Sequence, residues 1–284
     1  MKVVKSVKEM HLISEQLRLE GKKIGFVPTM GYLHEGHLSL VRKSKENSDI
    51  TVVSIFVNPT QFAPTEDLDK YPRDFERDEM LLNQENVDFL FYPDKDEIYP
   101  EGFSTFVEVG EITKVLEGES RPSHFKGVTT IVSILFNIVK PHYSVFGQKD
   151  AQQASVIKKM TSDLHFEIEV EIAPIVREKD GLAMSSRNVY LNQKEREDAL
   201  VLSKSLYLAE DLIKKGERNF IVIKEKMIGV ISQAETAYLD YIQAVESDSF
   251  SKVNLFEIGK SYFVLIACRI GRTRLIDNLL FQIN

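Results

Sequence analysis

Two histidines, His34 and His37, flank Glu35 and Gly36 just after the turn-forming run Pro28-Thr29-Met30-Gly31-Tyr32-Leu33. Imidazoles at this spacing on a nascent helix face one ligand together and donate hydrogen bonds to oxygens that gain charge during a reaction. Gly31 and Gly36 permit close backbone approach, and a helix N-terminus offers N–H groups and a partial positive charge to phosphate. A single histidine in a turn reads as a surface residue, whereas a pair around a glycine after a strand reads as a nucleotide site. Zinc binding is the competing chemistry, but no third Cys, His or acidic residue stands at ligand spacing, so protein ligands for a metal stay unassigned.

Two further clusters carry donors suited to polyphosphate. In Gly147-Gln148-Lys149-Asp150, Lys149 can neutralise a phosphate while Asp150 caps the next helix and accepts from a ribose hydroxyl. In Met184-Ser185-Ser186-Arg187-Asn188, two hydroxyls and a guanidinium form a loop that reads equally well as a phosphate clamp or as a helix cap. Alone, the first of these clusters is a common turn.

Elements must place these residues. Strand-like runs over 23–28, 51–57, 87–92, 143–146 and 168–176 alternate with helical patterns starting after Ser6 and over 37–45, 128–139 and 151–164. Such alternation predicts an α/β fold, a Rossmann-like doubly wound parallel sheet, with ligands at the carboxyl ends of its strands. Ser6 is the expected N-cap of the first helix, and Gly21 its stop. After Val176 the pattern changes to helices over 193–215 and 222–234 and three β-like runs over 239–245, 261–270 and 274–278. This predicts two domains, a nucleotide-binding one over 1–175 and a smaller α+β one over 176–284 that acts as a lid.

Taken together, the residues carry a resemblance. His34-x-Gly36-His37 with the later Met184-Ser185-Ser186-Arg187 looks like the HxGH and KMSKS-type signatures of the adenylyl-transferring superfamily that includes class I aminoacyl-tRNA synthetases. Phe56-Val-Asn-Pro-Thr-Gln-Phe62, Tyr71-Pro-Arg73, Arg121-Pro-Ser-His-Phe125 and Phe146-Gly-Gln-Lys-Asp-Ala-Gln-Gln153 narrow it, since the ordered set resembles the pantothenate synthetase family from about Ile24 to Asn278. Ser123, where the family usually has Gly, and Gln148, at a variable position, depart from its pattern without removing a chemical group.

The resemblance implies ATP-dependent ligation of pantoate and β-alanine through a pantoyl adenylate, with Mg²⁺ on phosphate oxygens. It implies catalytic roles for His34, His37, Lys149 and Arg187, and a nucleotide site formed by Met30 to His37, Gly147 to Asp150, Val176 and Met184 to Arg187. Pantoate falls to Gln61 and Gln153, with Asn58 nearby. Arg121 and His124 stay open between loop, interface and ligand contacts, and Asp78 reads as part of a solvated helix face rather than a metal ligand. A homodimer is also what the family suggests.

Composition sets the outer limits. A net charge of −7 argues against nucleic-acid or anionic-membrane partners, so anions must meet local basic groups. The lone Cys268 reads as a core residue, and with no signal-like or membrane-spanning run the expected location is cytoplasmic. The rivals are another adenylyl or cytidylyl transferase, disfavoured by the runs around Gln61 and Gln153, and a nucleotide-sensing or tRNA-binding module, disfavoured by the acidic balance.

Overall fold

The computed structural model describes residues 1–64 and 66–284, which divide into two compact units: Met1–Gln148 with Gln152–Pro174, and Lys149–Ala151 with Ile175–Asn284. In the first, six strands form one parallel sheet in the order β1-β4-β3-β2-β5-β6. They are β1 (Lys2–Val4), β2 (Ile24–Thr29), β3 (Ile50–Ile55), β4 (Phe89–Phe91), β5 (Tyr143–Gly147) and β6 (Glu169–Ala173). The connecting helices are α1 (Val7–Leu19), α2 (Glu35–Glu46), α3 (Phe75–Gln84), the single turns α4 (Lys95–Ile98) and α5 (Glu117–Ser120), α6 (His124–Val139) and α7 (Ala151–Asp163).

Successive strand residues supply opposite faces of the sheet. Phe26, Val52 and Phe91 pack with Met10 of α1, Phe136 of α6 and Ile157 and Met160 of α7. Their neighbours Val27, Val53 and Leu90 pack with Leu38 and Val41 of α2 and Leu82 of α3. Both faces are covered, which is why these strands are apolar runs rather than alternating ones. Burying each such side chain contributes roughly 1.5–3 kcal/mol. Strand order reverses between β2 and β5, so their adjacent carboxyl ends at Thr29 and Gly147 form the switch point where an open α/β sheet binds ligands.

The doubly wound expectation holds, with local differences. The edge strand β1 went unforeseen because three residues carry no periodicity; its pairing with β4 defines it. Ser6 is the N-cap of α1 by position, but its side chain makes no capping bond, and the Val7 N–H donates instead to Glu97 Oε2 at 2.8 Å.

In the second unit, β7 (Ala237–Glu246), β8 (Ser261–Ile270) and β9 (Thr273–Gln282) form an antiparallel sheet. It shares a core with α9 (Leu200–Lys214) and α10 (Phe220–Ile231), built from Leu202, Leu206, Phe220, Ile223, Tyr262 and Ile266. Cys268 is buried there, its thiol pushed up to about 12 by burial, as befits a core residue. The single helix expected over 193–215 is two, α8 (Gln193–Asp198) and α9, separated at Ala199. Asp198 ends α8, accepting the Thr236 N–H at 3.1 Å and hydroxyl at 2.8 Å. Among the described residues no helix is long and apolar enough to cross a membrane.

Candidate active site

At the carboxyl end of β2 the chain turns through Met30 to Leu33, with Gly31 at φ +83° and Tyr32 at φ +51°. A side chain at Gly31 would be strained by that φ and would crowd Ile55 Cγ2 at 3.0 Å and Asp78 Oδ2 at 3.1 Å. Helix α2 then begins with His34 as N-cap. His34 Nδ1 accepts the Gly36 N–H at 3.2 Å, and His37 Nδ1 accepts the His34 N–H at 3.3 Å. This is a capping box made by two imidazoles whose ring centres lie 4.1 Å apart. Because both Nδ1 atoms act as acceptors, each neutral ring carries its proton on Nε2; the tautomer follows from the bonding pattern. Glu35, by contrast, is exposed and pairs through its side chain with Arg42.

A second turn, Pro59–Gln61, follows β3 and packs on α6. Gly127 of α6 makes this possible, since a Cβ there would lie 2.4 Å from the Thr60 carbonyl oxygen. Asn58 is 1% exposed, and its amide is fully engaged. Nδ2 donates to Gln61 Oε1 and to the Gly127 carbonyl, both at 3.1 Å, while Oδ1 accepts from Thr60 Oγ1 at 2.9 Å and Tyr99 Oη at 2.8 Å. The amide of Gln61 is thereby oriented, and its Nε2 donates to Met30 Sδ at 3.0 Å. Met30 and Gln61, far apart in sequence, are thus in contact, while Asn58 holds Gln61 from behind.

Arg121 and His124 support the same turn. His124 is 8% exposed, and its Nδ1 lies 3.0 Å from the Gln61 carbonyl oxygen. Burial, with the Arg121 charge beside it, lowers His124 to about 4, so the neutral ring donates Nδ1–H to that carbonyl. Arg121 Nη2 also reaches the Gln61 carbonyl at 3.4 Å, and the guanidinium forms a two-pronged ion pair with Glu66, Nε to Oε1 at 2.5 Å and Nη2 to Oε2 at 2.9 Å. Both residues thus make a loop contact, to the Gln61 carbonyl.

Beyond β5, the turn Gln148–Asp150 leads into α7. Gln152 is buried: its Nε2 donates to the Ile112 and Val115 carbonyls, both at 2.8 Å, and its Oε1 accepts the Glu117 N–H at 3.1 Å. Gln153 is half-buried, and among the described residues its amide has no hydrogen-bonding partner. Of two adjacent glutamines, Gln152 holds a loop and Gln153 does not.

Within the second unit, Lys149 Nζ lies 3.4 Å from Asp150 Oδ1, and the Lys149 carbonyl accepts from Asn278 Nδ2 at 3.1 Å. The segment after Ile175 folds back on itself, with the Met184 N–H on the Val176 carbonyl at 3.0 Å and Gly181 at φ +97°. Arg177 anchors it through a two-pronged pair with the buried Asp277 at 2.6 and 2.9 Å. Ser185 then caps the short 3-10 helix Ser186–Tyr190, accepting the Arg187 N–H at 3.3 Å. The capping reading of this loop is thus the one seen in the contacts of Ser185. One serine hydroxyl caps, Ser186 is buried next to it, and Arg187 sits in the first turn.

One expectation fails. Asp78 is no solvated helix residue: it is 1% exposed, and its two carboxylate oxygens accept the N–H groups of Tyr32 and Leu33, each at 2.7 Å. Burial pushes its carboxyl above the usual range, against those two donors and Arg77. The signal existed in the sequence, where Asp78 shares the Phe75–Leu82 face of α3, an acid on an apolar stripe. Tyr99 and Gln152 offered no comparable signal, because each acts through a distant loop. Among the described residues no group of three or more His, Cys, Asp or Glu side chains is placed to hold a metal ion.

Residues 2–280 match the family model described as pantoate-beta-alanine ligase. The chain is 53% identical over 278 residues to a pantothenate synthetase of Thermotoga neapolitana, covering 98% of this chain and 99% of that one. It is 54% identical over 283 residues to a pantothenate synthetase of Caldicellulosiruptor saccharolyticus, covering 100% of both chains. The crystal structure of the Thermus thermophilus pantothenate synthetase superposes with a TM-score of 0.92 at 41% identity, over 98% of this chain and 99% of that one. That of a Francisella tularensis pantoate-beta-alanine ligase, complexed with beta-gamma ATP and beta-alanine, gives 0.79 at 36% identity, over 99% and 97%. With its doubly wound sheet, its paired histidines and a full-length match, the chain belongs to the pantoate-beta-alanine ligase family.

Proposed function

We propose that this protein joins pantoate to β-alanine at the expense of ATP, by way of a pantoyl adenylate. The observation that carries the reading is the reciprocal histidine cap, which fixes both Nε2–H donors at the N-terminus of α2 before any substrate binds.

A carboxylate is a poor acyl donor because oxide would have to leave. In the first step a pantoate carboxylate oxygen bonds to the α-phosphorus of ATP and the bond to pyrophosphate breaks. Negative charge spreads over the phosphates, and the donors that meet it are His34 and His37, the α2 N-terminus, Lys149, Ser186 and Arg187. In the second step the β-alanine amine bonds to the acyl carbon, the bond to AMP breaks, and the nitrogen loses its proton. Gln61 and Gln153 hold the pantoate hydroxyls and carboxylate. The Met30 to Leu33 backbone borders both substrates, and Gly147, Gln148, Asp150, Val176 and Met184 serve the nucleoside. Asn58 acts through Gln61. Mg²⁺ would sit on phosphate oxygens and water, partly neutralising their charge, because the acid nearest the loop, Asp78, already accepts two N–H groups. A cytoplasmic homodimer is part of the same reading.

Incubation with ATP, Mg²⁺, pantoate and β-alanine tests it by following AMP and pyrophosphate. AMP release that requires both organic substrates is the expected result; no release under any combination would contradict it.

A further inference from the structure

The α3 residues Arg77 and Asp78 grip the loop between β2 and α2. Asp78 accepts the N–H groups of Tyr32 and Leu33, Arg77 Nη1 donates to the Leu33 carbonyl at 2.8 Å, and its guanidinium lies 5.2 Å from the centre of the Tyr32 ring. Gly31 and Tyr32 both have positive φ, which turns successive N–H groups the same way. Concavities of this kind bind anions, and here the anion is the protein's own carboxylate. Leu33 of the loop is packed in the core, while Met30 to Tyr32 border open space. A cavity of about 260 Å³ lies there, lined by Met30, Gly31, Tyr32, Phe75, Asp78 and Tyr92.

We propose that Asp78 is a positioning residue for adenylate formation: its carboxylate holds Gly31, Tyr32 and Leu33 in the left-handed turn that places Met30 against Gln61 and His34 at the head of α2. The proposal rests on the reaction proposed above. An asparagine at this site offers one acceptor oxygen and turns N–H donors toward a second N–H, so the turn loses half its hold. Displacement of a reacting group by about 1 Å costs on the order of 100-fold in rate.

The test compares wild type with Asp78→Asn, per folded molecule, in each half-reaction. Single-turnover adenylate formation from ATP and pantoate should fall by roughly 10–100-fold, with a raised KM for ATP. Conversion of preformed pantoyl adenylate and β-alanine should stay within about twofold. Unchanged adenylate formation, or an equal loss in both half-reactions, overturns the proposal. Hydrogen exchange on the wild type covers a variant that fails to fold. The Tyr32 and Leu33 amides should exchange on the order of 100-fold or more slower than in an unstructured peptide. Exchange at the unstructured rate overturns the clamp. A wild type that makes no adenylate contradicts the reaction instead, and exchange then decides the clamp alone.

Discussion

His34 and His37 together cap the start of α2: His34 Nδ1 accepts the Gly36 N–H, His37 Nδ1 accepts the His34 N–H, and the tilted rings lie 4.1 Å apart, centre to centre. The residue pair proposed to meet the phosphates therefore also starts the helix. Substitution of His37 by alanine removes the acceptor for one N–H and one Nε2–H donor together. Loss of one donor to a developing charge costs about 100–1,000-fold in rate, whereas loss of a cap costs about 1 kcal/mol. We expect His37→Ala to cut single-turnover adenylate formation by that factor while circular dichroism stays the same; near-normal adenylate formation would remove the assignment.

Asn58 and Gln61 should separate stability from binding. Truncating Asn58 removes the 2.8 Å acceptor of the Tyr99 hydroxyl, which keeps only Thr60 Oγ1 at 3.2 Å, and leaves the Gly127 carbonyl without its side-chain donor, at about 1–3 kcal/mol for a buried group left unsatisfied. Asn58→Ala should therefore lower the melting temperature clearly and weaken pantoate use. Gln61→Ala should raise the pantoate KM with a much smaller change in melting. Equal melting losses in the two variants would contradict the division of labour.

The adjacent glutamines make a parallel contrast. Gln152→Ala loses three hydrogen bonds to the loop between Ile112 and Glu117 and should be detectably destabilised in urea. Gln153→Ala should change pantoate kinetics at unchanged stability. The opposite pattern would mean that α7 presents the wrong residue.

His124 predicts a pH dependence. Its folded value near 4 lies below the ordinary 6.5, so between those values the unfolded chain binds more protons and stability rises with pH. The gap corresponds to roughly 3 kcal/mol, present at neutral pH and lost as the pH falls from 6.5 through about 4. Chemical denaturation at pH 7 and pH 4.5 checks it: His124→Asn, losing this titration, should show a shallower decline than wild type.

The doubly wound sheet was legible because its strands are apolar runs separated by helix-length segments, and the turns after β2 and β5 fall at strand ends. The histidine pair, Gln61 and Gln153 were legible as motifs. What was not legible lay in contacts between distant residues. Asp78 looked like any acid on a charged helix, although its place on the Phe75–Leu82 face was a sign. The bonds of the buried Asn58 to Gln61, Thr60, Tyr99 and the Gly127 carbonyl join residues up to 69 positions apart. Beside the break at Ala199, Asp198 meets Thr236, a partner 38 positions away.

The central claim is that ATP activates pantoate before the amine arrives. Mixing the enzyme with ATP, Mg²⁺ and pantoate without β-alanine should release pyrophosphate in a burst stoichiometric with enzyme. Adding β-alanine should then convert the retained acyl adenylate to pantothenate and AMP. Pyrophosphate release that appears only once β-alanine is present would contradict the account.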